Sequence, residues 1–117
     1  MIMTFGEAAT MLETQDPGWI RGMIQFMTDL DVELRESGEL IMEEGLTDGS
    51  GAKTVRFING APVPTDGPFA DSKESLVGFW IVDVENEARA LEIASKIVGV
   101  VHQGIEVRRV ADGPPEV

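Results

Sequence analysis

The amino-acid sequence predicts an α+β domain. Three observations carry this: runs of β-type residues alternate with two stretches of helical periodicity, an Asn-Gly pair separates two short strand-like runs, and Leu76–Val84 is nearly continuous in branched and aromatic residues.

Met1–Phe5 is a short apolar run stopped by Gly6 and reads as a first strand. Asp16-Pro17-Gly18 supplies a helix start, with Asp16 as N-cap and Pro17 at the first helical position, where its missing N–H costs nothing. Ile20, Met23, Ile24, Met27, Leu30 and Leu34 follow at spacings of three and four, an apolar helical face; Arg21, Asp29, Asp31, Glu33 and Glu36 form the opposite, solvated stripe. Gly38 ends this helix. Leu40–Leu46 reads as a second strand running into the turn Asp48-Gly49-Ser50-Gly51. Thr54–Ile58 and Ala61–Val63 flank Asn59-Gly60, a hairpin signal because both turn positions need positive φ. Leu76–Val84 is expected at the centre of the sheet, covered on both faces. Glu87–Val98 is a second amphipathic helix, expected to bury Ala88, Leu91, Ala94 and Ile97 or Val98. Ile105–Val110 alternates as a last strand with one wet face.

The order strand, helix, strand, inserted hairpin, strand, helix, strand is the split βαβ pattern of a ferredoxin-like domain with an extra hairpin. One domain over residues 1–111 and a flexible tail over 112–117, where Asp112-Gly113-Pro114-Pro115 cannot continue a strand, account for the length. Two helices cover only one face of such a sheet. A second copy is the least costly cover for the other, so a homodimer with sheet facing sheet is expected.

Nine Lys and Arg stand against 21 Asp and Glu, a net charge of −12. A field this negative repels phosphate backbones and anionic lipid, so neither nucleic acid nor a membrane surface is expected as a partner. There is no cysteine, which removes disulfides, thiol nucleophiles and Cys-ligated metals. One histidine, no phosphate loop and no dinucleotide fingerprint leave no expected metal site and no expected cofactor. No apolar run is long enough to span a bilayer, and Met1-Ile2-Met3 lacks the charged start of a signal peptide, so a cytoplasmic protein is expected.

The polar segment Val63–Glu74 bends twice between the hairpin and the most apolar strand. It reads in two ways. As a structural turn, Asp66 and Gly67 supply the bend, Pro68 fixes φ and Phe69 plugs the core. As a site, Asp66 is a carboxylate held at the mouth of a pocket, with Lys73 nearby to set its charge.

Asp66-Gly67-Pro68-Phe69-Ala70-Asp71-Ser72-Lys73-Glu74 resembles the motif of the YCII-related proteins, in the branch whose typical run is Asp-Gly-Pro-Phe-Ala-Glu-Thr-Lys-Glu. Glu44-Gly45-Leu46, Gly78-Phe79-Trp80 and Ile105-Glu106-Val107-Arg108 are similar to further segments of that family, so the likeness runs along nearly the whole chain. The resemblance implies a ferredoxin-like domain paired into a dimeric α/β barrel. Relatives on this fold include a dehydrochlorinase, muconolactone isomerases and small monooxygenases. It therefore implies a cofactor-free enzyme of the lyase or isomerase kind acting on a small organic substrate, in which Asp66 moves a proton and Glu44 or Lys73 tunes it. The alternative is a non-catalytic ligand-binding or regulatory dimer. A histidine that other branches carry on the first helix has no counterpart between Trp19 and Leu34, so no His–Asp dyad is carried over.

Glu43 and Glu44 are adjacent strand residues and point to opposite faces, so only one can look into a sheet-face pocket; Glu44, which matches the family carboxylate, is the expected one. His102 reads as a helix-end residue favoured by the helix dipole, or as a catalytic base. Arg56 is a candidate for binding an anionic substrate group, or an outward sheet residue. One of Phe79 and Trp80 must face away from the helices; Trp80 is the candidate for stacking on a planar ligand in the dimer cavity.

Overall fold

The computed structural model describes residues 1–6, 13–69 and 74–116. Strand β1 (Ile2–Phe5) is followed by helix α1 (Pro17–Glu36), strands β2 (Leu40–Gly45), β3 (Lys53–Ile58), β4 (Ala61–Asp66) and β5 (Leu76–Val82), helix α2 (Glu87–Val101) and strand β6 (Ile105–Val107). The fold is α+β. The main sheet has the order β2-β5-β1-β6 with every pairing antiparallel, so β5 lies between β1 and β2 and splits the β1–α1–β2 unit. Among the described residues, no helix is long and apolar enough to cross a membrane.

Local chemistry sets the element ends. The Asp16 carboxylate accepts hydrogen bonds from the backbone N–H of Gly18 (3.1 Å) and Trp19 (3.3 Å), and Pro17 occupies the first helical position. Asn86 caps α2 by accepting from the Arg89 N–H at 3.0 Å. Asn59 (φ 51°) and Gly60 (φ 80°) make the left-handed turn that joins β3 to β4 in register from Ile58–Ala61 to Lys53–Asp66.

The core lies between the helices and one face of the sheet. Ile2 and Trp80, cross-strand partners on β1 and β5, pack with Leu30 and Leu34 of α1 and Ile93, Ala94 and Ile97 of α2. Each fully buried aliphatic side chain contributes roughly 1.5–3 kcal/mol of transfer free energy. The face opposite to Trp80 carries Met3, Glu44, Phe79 and Glu106, which the register places side by side.

The structure corrects several expectations. Helix α2 buries Ala90, Ile93, Ala94 and Ile97, while Ala88 is exposed and Leu91 is 48 % exposed. The apolar positions of α2 span more than one stripe, and packing against the sheet selects among them. Ile24 is likewise exposed on α1, and Asp31, read as a solvated residue, is half-buried against the sheet. Helix α2 runs three residues beyond Val98, because His102 takes a left-handed conformation (φ 55°) and its N–H closes on the Val98 carbonyl at 2.9 Å. Strand β6 is three residues instead of six, since its neighbour β1 offers Ile2–Thr4 and the ladder ends where the Arg108 N–H meets the Met1 carbonyl. Residues 108–116 carry no regular structure.

Hairpin β3–β4 forms its own two-stranded sheet. Its base is held by the Gly67 N–H to the Ala52 carbonyl (2.8 Å) and the Thr54 hydroxyl to the Gly67 carbonyl (2.8 Å). The molecule measures 49 × 46 × 19 Å, with a radius of gyration of 16.6 Å. A compact chain of this length has a radius of about 13 Å.

Candidate functional site

Two glycines open a cavity. Counting along β5 from Trp80, which faces the helices, Gly78 faces them too, and it pairs with Gly45 of β2. Neither position carries a side chain, so the sheet beneath the first half of α1 has no floor of its own. A Cβ on Gly45 would meet nothing within 4 Å, whereas one on Gly78 would stand 3.3 Å from the Glu44 carbonyl and the Thr4 hydroxyl. The resulting cavity has a volume of about 240 Å³ and lies among Met23 and Met27 of α1, Trp80, Val101, Ile105 and the carboxyl-bearing end of β2. It sits just below the usual size range of drug-sized ligand pockets, which bounds an occupant to a small organic molecule.

One polar constellation borders this apolar space. Glu43 is the cross-strand partner of Trp80 and therefore points toward the helices. Its carboxyl is pushed above the ordinary carboxylate range, first by removal from water, then by the charge of Asp31 and a hydrogen bond to it, with a smaller contribution from Glu44 and an opposing one from Arg35. Asp31 Oδ1 accepts the indole N–H of Trp80 at 3.1 Å. A hydrogen bond between two carboxyls needs one proton, and the burial of Glu43 favours its protonated form. The arrangement is a carboxyl group on the rim of a largely apolar cavity, beside an acceptor held by the Trp80 indole. A carboxyl raised above its ordinary range beside an apolar cavity is suited to proton transfer.

The sequence-derived candidates are distributed differently. Glu44 pairs with Phe79 on the face away from Trp80, and its side chain is exposed, while its position also borders the cavity mouth. Of the two adjacent glutamates, Glu43 takes the helix-side cavity. Asp66 ends β4, where the register sets it opposite Lys53, and the two form an ion pair at 2.5 Å with the Asp66 side chain 90 % exposed. Asp66 sits at the base of the hairpin and Glu44 on the main sheet. Lys73 lies outside the described residues. Phe69 does not plug the core; it is 81 % exposed, with the Arg56 guanidinium 5.3 Å from its ring centroid. Pro68 packs near Gly49 at the hairpin base. His102 caps α2 from an exposed position. Trp80 faces the helices and Phe79 the other side, so Trp80 lines the intramolecular cavity.

Sequence reasoning missed Asp31 and set Glu43 aside. Alternation shows that Glu43 and Glu44 part ways, but the side each takes depends on how β2 registers against β5. Gly45 and Gly78 were the available signal: two glycines interrupting strands of otherwise large residues.

A protein of Rhizobium meliloti (strain 1021), itself described as uncharacterized, is 37 % identical over 71 residues, covering 58 % of this chain and 57 % of the relative. The match thus spans little more than half the length of that relative. The family model of the YCII-related domain matches residues 11–113, which include α1, the hairpin, β5, α2 and β6. The protein belongs to the YCII-related domain family.

Proposed function

We propose that the protein is a cofactor-free acid–base protein for a small organic molecule, of the isomerase or lyase kind, with Glu43 as the proton-carrying group. The observation that carries this reading is the Glu43–Asp31–Trp80 constellation on the rim of the glycine-floored cavity. Its walls are methionine and aromatic side chains, which hold an uncharged or planar molecule by contact area. A protonated Glu43 donates to a carbonyl or leaving group, and once ionised it recovers a proton from an adjacent carbon. The closed cycle needs no oxidant or reductant.

The protein acts as a homodimer in this reading, two sheets facing one another in a dimeric α/β barrel. Support comes from the apolar side chains Met3, Met42 and Phe79 on the face opposite to the helices.

The test uses a butenolide such as α-angelica lactone, whose isomerisation moves one proton, incubated in deuterated buffer and followed by NMR. Wild-type protein is expected to accelerate exchange, Glu43→Gln to abolish it while still binding the lactone, and Gly45→Val to weaken binding by placing a side chain where a Cβ meets nothing within 4 Å. Exchange unchanged in Glu43→Gln overturns the assignment. Binding without exchange in the wild type favours a ligand-binding module instead.

A further inference from the structure

Strand pairing arranges the helix-side face of the main sheet in rows. Gly45, Gly78, Thr4 and Ile105 form the cavity floor, and Glu43, Trp80, Ile2 and Val107 form the next row, toward the core. The floor row holds one polar side chain, Thr4, whose hydroxyl donates to the Gly78 carbonyl at 3.2 Å and so turns only lone pairs to a ligand. The Trp80 indole N–H is likewise engaged, by Asp31. The remaining polar side chains on the lining are the uncharged amide of Gln103 and the carboxyls of Glu43 and Glu44.

No cation answers these carboxyls. Among the described residues that line the cavity, none is Lys, Arg or His. Of the other described cations, Lys53, Arg89, Lys96, Arg108 and Arg109 are ion-paired with Asp or Glu side chains of their own. Arg56 lies over Phe69, and Arg21 and Arg35 are exposed on α1. Arg35 is felt at Glu43, but more weakly than Asp31 and Glu44. A carboxylate brought into this apolar space loses its water, meets acidic groups and finds no opposite charge. An uncharged carbonyl compound of the same shape meets none of these penalties.

We propose that the cavity selects its ligand by charge: it takes uncharged carbonyl compounds such as lactones, esters and amides and rejects their carboxylate counterparts, with Glu44 at the mouth as the rejecting group. This deepens the proposed function and rests on its cavity.

The probes are a butenolide carrying a carboxymethyl group and the same butenolide with that group as its carboxamide, which share one shape and differ by one charge at pH 7. In ligand-observed NMR titrations at that pH, wild-type protein is expected to bind the carboxamide at least about 30-fold more tightly than the carboxylate. Glu44→Lys, at an exposed position, is expected to keep the circular dichroism spectrum and to bind the carboxylate at least about 10-fold more tightly than wild type does, with the carboxamide within about twofold. Gly45→Val is expected to weaken carboxamide binding, which assigns that binding to the cavity. A carboxylate that binds wild type as tightly as the carboxamide overturns the charge selection and leaves the acid–base reading standing. A preference that Glu44→Lys does not narrow overturns the role given to Glu44. If the carboxamide fails to bind, or binds Gly45→Val unchanged, the cavity reading falls and this inference with it.

Discussion

Replacing Glu39 by Gln tests how the α1–β2 turn is tied to α2. The Glu39 carboxylate receives Arg89 Nε at 2.9 Å and Nη2 at 2.8 Å, a bidentate pair, and the Ser37 hydroxyl at 2.8 Å. Arg89 stands in the first turn of α2, fifty residues along the chain, and also reaches Glu92 at 2.8 Å. The Arg89 hydrogen bonds, then that of Ser37, hold the Glu39 carboxyl at about 2, against an ordinary value of 4.5. At neutral pH that difference corresponds to at most about 3.4 kcal/mol. The two side chains remain 18 % and 23 % exposed, so solvent screening reduces the expected loss to roughly 1.5–2 kcal/mol. For a chain of this length that lowers Tm by about 6–8 °C. The sign follows from the depressed value: the contribution is full above pH 4.5 and is lost as pH falls through about 2. At pH 3 the Tm difference between wild type and variant is therefore expected to shrink to about 40 % of its value at pH 7. Thermal melts followed by circular dichroism at both pH values measure it. A shift under 2 °C at pH 7, or an equal shift at pH 3, would refute the reasoning; a double-mutant cycle with Arg89→Met isolates the pair itself.

Two further predictions concern single side chains. Glu43, whose carboxyl is raised by burial and by Asp31, stabilises the fold below the ordinary value of 4.5, and that contribution is lost as pH rises through its folded value. Glu43→Gln is therefore expected to gain in Tm over wild type between pH 4 and pH 7.5, and a difference independent of pH counts against the shared proton. His102 holds a left-handed conformation at the end of α2 (φ 55°), where glycine carries no Cβ penalty. His102→Gly is expected to stabilise by up to about 1 kcal/mol, roughly 4 °C in Tm, and a loss of stability would show that the imidazole makes a contact that outweighs the backbone strain.

What the sequence determined by itself was local. The Asp16 cap, the Asn59-Gly60 turn and the α+β order all depend on residues a few positions apart, and each is where the residues indicated, while the strand starts agree to within one residue. The family was legible for the same reason, since its motifs are contiguous runs. The tertiary structure decided everything that depends on which surface faces which. Periodicity identified apolar residues on α2, but packing on the sheet chose Ala90 and Ile93 over Ala88 and Leu91. Alternation separated Glu43 from Glu44, but the pairing of Glu43 with Trp80 turned Glu43 toward α1 and into contact with Asp31. Asp66 and Phe69 were read as groups at a pocket or in the core, and the hairpin carries both to exposed positions, because its two strands bond to each other and join no strand of the main sheet. The cavity itself arises from two glycines more than thirty residues apart that become neighbours only when β2 pairs with β5. A site assembled across strands is set by register, and register is a property of the folded sheet.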